Sequence, residues 1–270
     1  GRAVAVWEPS ENLDVTAMFQ AYGSDSYGTN AEFVTSTGTP EALSALGGYP
    51  SVFEAIPDWN TAIDSTVVGD DRGDQDASRG SLTVNWSLGD YTLTAQAGFT
   101  RSDADGHTNT SYIPGNYGYQ MVDDKSKQFT QEVRLTSPEG WTVEYIVGVL
   151  YLHGSYDNIT TTNANMIAGP TSPAVRGTSE TDYYQKNTAW SGFGQLDTRL
   201  TDDLKLSLGL RYTDEKKSAD FARTALVPGI YSMVVTPPFS PFSLSRSEGN
   251  IDASVGLSYQ VTDYVMVYGS

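Results

Sequence analysis

The sequence contains no cysteine among its 270 residues and only two histidines, His107 and His153. The absence of cysteine excludes a disulfide scaffold, a thiolate metal site and a cysteine nucleophile. The two histidines lie on different segments, so neither a Ser-His-Asp triad nor a two-histidine metal site has residues to be built from. We therefore expect a protein that is not an enzyme and that has no catalytic, cofactor or metal residues.

Basic residues are scarce as well, because 16 Lys and Arg stand against 33 Asp and Glu, for a formal net charge of −17. Nucleic-acid phosphates are bound by basic surfaces, so a nucleic-acid partner is not expected. No apolar run approaches the roughly 18 residues of a transmembrane helix. Glycine and aromatic residues are plentiful, with 26 Gly, 17 Tyr, 9 Phe and 5 Trp. This composition suits a sheet protein that is rich in turns.

The clearest pattern lies between Leu204 and Tyr212, where apolar residues at even positions alternate with polar residues or glycine at odd positions. A period of two is typical of a strand with one apolar and one polar face. The segment 184–200 is also predicted as a strand. Phe193 is out of phase with Trp190 and Leu196, so the sequence does not decide which residues of this segment lie on the apolar face. The remaining apolar strand faces run over residues 3–7, 13–21, 82–88, 91–99, 129–135, 141–151, 253–261 and 264–268.

Short turns and long loops alternate strictly along these ten predicted strands. The long loops cover about residues 23–78, 102–126, 157–183 and 214–247. Within the first loop, Thr39-Pro40 precedes helix formers that end at Gly47-Gly48, which predicts one short helix. Tight turns on one side of an antiparallel meander and long loops on the other are typical of outer-membrane barrels.

Aromatic residues cluster at both ends of the predicted strands, as expected for rings at the two interfaces of a membrane. Those near the short turns are Trp7, Trp86, Tyr91, Trp141, Tyr259 and Tyr264, and those toward the long loops are Phe19, Phe99, Tyr151, Tyr212 and Tyr268. The predicted fold class is all-β, an antiparallel transmembrane β-barrel meander with periplasmic turns and extracellular loops. A soluble barrel with these aromatics in its core is the competing interpretation.

Several stretches resemble the TonB-dependent receptor family of outer-membrane active transporters. They are KQFTQEVRLTS at 127–137, AWSGFGQ at 189–195, LGLRYT at 208–213 and VGLSY at 255–259. The resemblance implies a barrel of about 22 strands, of which residues 1–270 would form a single partial β-barrel domain. Both ends of the chain are predicted on the loop side, and the family's plug domain and TonB box have no counterpart in this sequence.

The resemblance also implies a function, a location and a set of partners. The parent protein would import a scarce ligand, such as an iron-siderophore, cobalamin or a carbohydrate, with energy from the TonB complex through the plug and TonB box. Its location would be the bacterial outer membrane, in contact with lipid and lipopolysaccharide. Two other functions stay open, a passive porin-type channel and a surface-exposed binding or adhesion protein.

Candidate ligand contacts are the aromatics of the long loops, because Tyr and Trp offer flat contact area with a polar handle. They are Trp59, Tyr112, Tyr117 and Tyr119. A second candidate set is expected to face the lumen at mid-barrel, where it would pair with a plug, guide a ligand or form cross-strand pairs in the wall. This set is Glu132, Arg134, Lys205 and Arg211. We interpret the acidic stretches 70–76 and 103–105 as solvated loops rather than cation sites.

Overall fold

The computed structural model describes residues 1–27, 71–110, 118–167 and 174–270. These residues form one antiparallel sheet in which each strand pairs with its neighbours in the order of the sequence. The strands are β1 (Arg2–Ser10), β2 (Leu13–Tyr27), β3 (Arg72–Leu88), β4 (Tyr91–Asn109), β5 (Gly118–Thr136), β6 (Val143–Ile167), β7 (Ala174–Arg199), β8 (Leu204–Val227), β9 (Phe239–Thr262) and β10 (Val265–Gly269). A short π-helical turn, Tyr231–Val235, lies between β8 and β9. No helix in the described ranges is long and apolar enough to cross a membrane.

The all-β meander predicted from the alternation is confirmed, and its short turns lie where the sequence places them. Gly89 adopts a φ of 64° in the β3–β4 turn, and Gly140 a φ of 81° in the β5–β6 turn. Both are left-handed conformations that glycine reaches without a steric cost. The predicted helix near residues 39–47 lies outside the described residues.

The predicted loop boundaries are wrong, because the strands continue far into the segments assigned to loops. β2 extends to Tyr27, β3 starts at Arg72, and β7, with 26 residues, starts ten positions before the predicted segment 184–200. At this side, residues 28–71, 110–117, 168–173 and 228–238 are the ones that lie between the described strands. Beyond the apolar band polar residues occur on both strand faces, so the hydrophobic period weakens although backbone pairing continues.

Strand register divides the sheet into an apolar face and a polar face. Leu208 on β8 pairs with Leu196 on β7 and with Val255 on β9, so these three side chains share the apolar face. Large apolar residues are widely exposed on this face; Leu210, for example, is 59% exposed. The same register resolves β7, since Trp190 pairs with Tyr151 on the apolar face while Phe193 pairs with Gly148 on the polar face.

A belt of aromatic rings crosses the apolar face near the long-loop ends of the strands. We call it the loop-side girdle: Phe19, Phe99, Phe129, Tyr151, Trp190 and Tyr212. The ring centroids of Tyr151 and Trp190 lie 4.4 Å apart, and those of Phe19 and Phe99 lie 6.4 Å apart. At the opposite ends, Tyr91 and Trp141 make an edge contact at 5.9 Å. The two belts bound the apolar band, as the sequence predicted, except at Tyr268. Because the register shifts at the start of β10, Tyr268 pairs with Ser258 and lies on the polar face instead.

Candidate functional site

A second group of aromatic rings lies on the polar face, farther toward the long-loop ends of the strands than the loop-side girdle. It consists of Tyr156 on β6, Tyr183 on β7, Phe221 on β8, and Phe239 and Phe242 on β9. Successive ring centroids lie 5.9 Å, 4.7 Å, 5.2 Å and 5.5 Å apart from Tyr156 to Phe239, the third pair being stacked. This inner aromatic cluster forms a continuous apolar strip across four strands of an otherwise polar wall.

The positions of four of these rings follow from the phase of each strand. Phe239 joins them because the β8–β9 register shifts between Phe221 and Arg223. On β8 the even residues to Tyr212 are on the apolar face, so the odd residue Phe221 lies on the polar face. On β9 the odd residues, such as Val255, share the apolar face, so Phe242 also lies on the polar face. The sequence interpretation missed the cluster because it ended each strand where the apolar residues ended. Continuing the alternation into the predicted loops was the signal that could have found it.

One carboxylate organises the β5–β6 side of the cluster. Asp124 on β5 accepts a 2.6 Å hydrogen bond from the Tyr156 hydroxyl and another of 2.6 Å from the Asn158 side-chain amide. The hydrogen bond to Asp124, together with partial burial, raises the pKa of Tyr156 to about 12. Tyr156 therefore stays protonated, and can donate this hydrogen bond, at pH values above the ordinary tyrosine pKa of about 10.

One cation flanks the β9 side of the cluster. Arg223 on β8 donates a 3.0 Å hydrogen bond from Nε to the Thr181 hydroxyl. Its guanidinium carbon lies 5.3 Å from the ring centroid of Phe239, within the range of a cation–π contact. The cluster thus places flat rings between an anionic end at Asp124 and a cationic end at Arg223.

A depression of about 350 Å³ opens on the polar face directly beside Tyr156. The residues of the polar face that line it combine hydroxyl and amide groups with the apolar side chain of Leu152: Thr100, Ser126, Gln128, Leu152, Gly154, Tyr156, Gln185 and Asn187. Lys127 and Ser155 complete the lining. The Oδ1 atom of Asn187 is buried and has no hydrogen-bond partner among the described residues. Rings beside a depression that offers both apolar surface and hydroxyl and amide groups can hold a ligand that combines a flat ring with hydrogen-bonding groups.

Of the predicted loop aromatics, Trp59, Tyr112 and Tyr117 lie outside the described residues. Tyr119 lies near the start of β5, in register with Asn109 and Asn163, and its ring is 5.7 Å from the ring of His107. Its odd position on β5 places it on the same face as Phe129 rather than with the inner aromatic cluster.

The predicted lumen-facing charges all lie on the polar face, nearer the short turns than the inner aromatic cluster. Arg134 contacts Glu132 at 3.0 Å along the same strand, which differs from the cross-strand pairing considered from the sequence. Lys205 does pair across strands, with Asp197 at 3.6 Å. Arg211 instead donates hydrogen bonds to the Ser191 and Thr213 hydroxyls, at 3.1 Å and 3.2 Å.

Most of the described residues in the acidic stretches belong to strands rather than to the loops expected from the sequence. Asp74 and Asp76 lie on β3, and Asp103 and Asp105 lie directly opposite them on β4. Within the described ranges, no group of three or more His, Cys, Asp or Glu side chains is placed to hold a metal ion.

Comparison with solved structures shows which proteins contain a similar sheet. The chain is similar to the ferric yersiniabactin uptake receptor FyuA from Yersinia pestis, with a TM-score of 0.66 and 13% identity over 95% of this chain and 34% of that one. It is also similar to the siderophore receptor PiuA from Acinetobacter baumannii, with a TM-score of 0.60 and 14% identity over 95% and 39% of the two chains. The ferric citrate transporter FecA gives a TM-score of 0.55 and 12% identity over 99% and 34%.

The chain therefore spans between a third and two fifths of the length of these three structures. At identities of 12–14%, the structural similarity shows that this chain shares the fold of these proteins. No curated protein matches the sequence. A sequence profile of the family described as "TonB dependent receptor-like, beta-barrel" matches residues 12–270. Because this match covers nearly the whole chain, the protein belongs to the TonB-dependent receptor family, as part of its outer-membrane β-barrel.

Proposed function

We propose that the intact protein imports a small ring-bearing iron chelate across the outer membrane and that the inner aromatic cluster contacts this ligand. Members of the family are outer-membrane β-barrels and transporters rather than enzymes. The apolar face meets lipid, and the polar face lines the lumen. The observation that carries the proposal is the inner aromatic cluster, because it lies on the lumenal wall beyond the membrane band.

The chemistry of the cluster supports a ligand with flat rings. Stacked and edge-on aromatic contacts each contribute about 0.5–1.5 kcal/mol beyond the area they bury. Asp124 and Arg223 add one charged group at each end, and the depression beside Tyr156 offers hydroxyl and amide partners. FyuA, PiuA and FecA are described as receptors or transporters for ferric yersiniabactin, a siderophore and ferric citrate. These descriptions support an iron chelate over cobalamin or a carbohydrate.

We also propose that import uses energy from the TonB complex, as the family resemblance implies. A passive porin-type channel would transport its ligand without this energy source. Iron uptake by cells that depend on the intact protein is therefore expected to stop when TonB is deleted or the proton gradient is collapsed. Uptake that continues at the same rate in both conditions would favour the passive channel.

The ligand contact is tested by two neighbouring tyrosines of β7 that lie on opposite faces. Tyr183 belongs to the inner aromatic cluster, while Tyr184 lies on the other face with Lys186 over its ring at 5.2 Å. We expect Tyr183→Ala to weaken binding about tenfold, which corresponds to about 1.4 kcal/mol, and Tyr184→Ala to leave affinity unchanged. Binding is measured by fluorescence quenching of the intact protein with ferric catecholate, hydroxamate, citrate and phenolate chelates. Equal affinities of the two variants for every chelate would contradict the proposed site.

A further inference from the structure

An exposed apolar segment lies between β8 and β9, around the π-helical turn Tyr231–Val235. We call its exposed apolar residues the apolar lip: Ile230, Met233, Val234, Val235, Pro237 and Pro238. Val234 is 71% exposed and Val235 is 57% exposed. Residues 224–245 carry no charged side chain, in a chain with a net charge of −17. Contiguous exposed apolar surface marks an interaction site, whereas apolar residues that are scattered singly do not.

Polar anchors hold the turn against the lumenal side of β7. Ser232 is fully buried, and its hydroxyl donates a 2.7 Å hydrogen bond to the carbonyl oxygen of Val227. The Thr236 hydroxyl donates a 3.0 Å hydrogen bond to the Ser179 hydroxyl. Ser179 is an odd residue of β7 and therefore shares the polar face with Tyr183. The hydroxyls of Ser232 and Thr236 are bonded within the protein, so the surface that the turn offers to a ligand is apolar.

The apolar lip continues the inner aromatic cluster toward the outside. Phe239 of the cluster directly follows the two prolines of the lip. Along the polar face of β7, Tyr183 belongs to the cluster and Ser179 lies under the turn. These two residues are about 14 Å apart at 3.4 Å per residue. A single ligand with an extended part of this length can therefore contact the rings and the lip at the same time.

The distance of the lip from the membrane excludes lipid as its occupant. Trp190 of the loop-side girdle lies on the same strand as Ser179, about 37 Å away along β7. With a strand tilt of about 40°, the lip lies about 28 Å beyond the girdle. The turn also packs on the lumenal face rather than on the lipid-facing one. The molecule that passes this position is the ligand on its way into the lumen.

We propose that the imported chelate is amphiphilic, with its rings on the inner aromatic cluster and an acyl tail on the apolar lip. The proposal rests on the proposed function, because it describes a second part of the ligand of the same lumenal site. The lip offers hydrocarbon surface, and the flexible Met233 side chain can adapt to a tail. Each methylene that is removed from water strengthens binding about fourfold. A charged or hydrogen-bonding group would gain no partner on this surface.

The experiment uses four ferric chelates, a catecholate, a hydroxamate, a citrate and a phenolate, each prepared with and without an octanoyl tail. The intact protein is titrated with each pair, and binding is measured by fluorescence quenching. The lip variant is Met233→Gln with Val234→Thr, which replaces apolar groups by polar groups of similar size. The matched control is Met121→Gln, because Met121 is 43% exposed against 49% for Met233 but lies on the face of β5 that carries Phe129, outside the lumen. Uptake of the tail by detergent is the same for all three proteins.

We expect the tail to strengthen the binding of at least one chelate to the wild type about tenfold. Met121→Gln should keep this gain. The lip variant should lose most of it and should bind the chelate without a tail as the wild type does.

A tail that strengthens the binding of no chelate would overturn the proposal, and this measurement requires no variant to fold. The same result is expected if another part of the intact barrel covers the lip. An equal gain in the lip variant and the wild type would overturn the proposal as well, because the tail would then bind elsewhere. Binding of chelates without a tail, and its dependence on Tyr183, tests the import proposal alone, so the two proposals fail separately.

Discussion

Gly148 offers a direct test of how tightly the lumenal wall is packed. It lies on the polar face of β6, opposite Phe193 on β7. A Cβ atom added at this position would lie 2.6 Å from Cζ of Phe193, 2.9 Å from the carbonyl oxygen of Val133 and 3.0 Å from Cβ of Arg134. The Phe193 ring can rotate away, but the Val133 carbonyl belongs to the paired backbone of β5 and cannot move freely. Gly148→Ala must therefore strain the wall.

The size of this effect follows from two opposing contributions. Overpacking of a close contact costs about 1–3 kcal/mol. Replacing glycine by alanine returns about 0.4–1 kcal/mol by reducing the entropy of the unfolded chain. We therefore expect Gly148→Ala to lower the free energy of unfolding by about 1 kcal/mol, roughly a fivefold change in the folded-to-unfolded ratio. Gly192 is the matched control because an added Cβ there would meet nothing within 4 Å, so Gly192→Ala should be neutral or slightly stabilising.

The assay is urea unfolding of the intact protein in lipid vesicles, followed by tryptophan fluorescence. The midpoint for Gly148→Ala should fall below that of the wild type, whereas the midpoint for Gly192→Ala should not. Adding Phe193→Leu to the Gly148→Ala variant should restore the part of the unfolding free energy that is lost through the clash with the Phe193 ring. If the two alanine variants unfold at the same urea concentration, the register that places Phe193 over Gly148 is wrong.

Two further predictions concern the outer part of the wall. Asp124→Asn should move the deprotonation of Tyr156 from about pH 12 toward the ordinary value of about 10, measured as the phenolate absorbance difference against the Tyr156→Phe protein; an unchanged titration would contradict the hydrogen bond. Since the folded-state pKa is raised, the contribution of Tyr156 to stability is complete below about pH 10 and is lost as the pH rises toward 12. Gly177→Ala should displace the Tyr231–Val235 turn, because Gly177 has a φ of 145° and an added Cβ would lie 2.8 Å from the Ser232 nitrogen. Protease added to whole cells should then cleave near Ser232 faster than in the wild type, and an unchanged cleavage pattern would refute this packing.

Sequence reasoning was most successful within the membrane band. Between Leu204 and Tyr212 one face meets lipid and the other meets the lumen, so apolar and polar residues must alternate. The turn glycines were predictable for a similar reason, since Gly89 and Gly140 occupy conformations that other residues rarely adopt. The fold class and the two strand faces follow from such local constraints, whereas the choice of the lipid-facing side depended on the asymmetry between short turns and long loops.

Sequence reasoning failed where the strands leave the membrane. There β6 and β7 continue to pair for many residues with water on both faces, so no hydrophobic period marks them as strands. The predicted loops at 102–126 and 157–183 are mostly strand for this reason. The ligand contacts were then sought on the loops, while the aromatic strip was already present on the extended strands.

The sequence by itself determined the alternating wall, its turns, its aromatic belts and its family, because each depends on neighbours along the chain. Only the tertiary structure decided which distant residues share a level of the sheet. Tyr156 and Phe242 lie 86 positions apart in the sequence, yet register places them in one inner aromatic cluster. Ser179 and Thr236, which are 57 positions apart, likewise meet only because the turn of the apolar lip folds back onto the lumenal face of β7. A period of two assigns a residue to a face, whereas the hydrogen-bonded register between strands assigns it to a site.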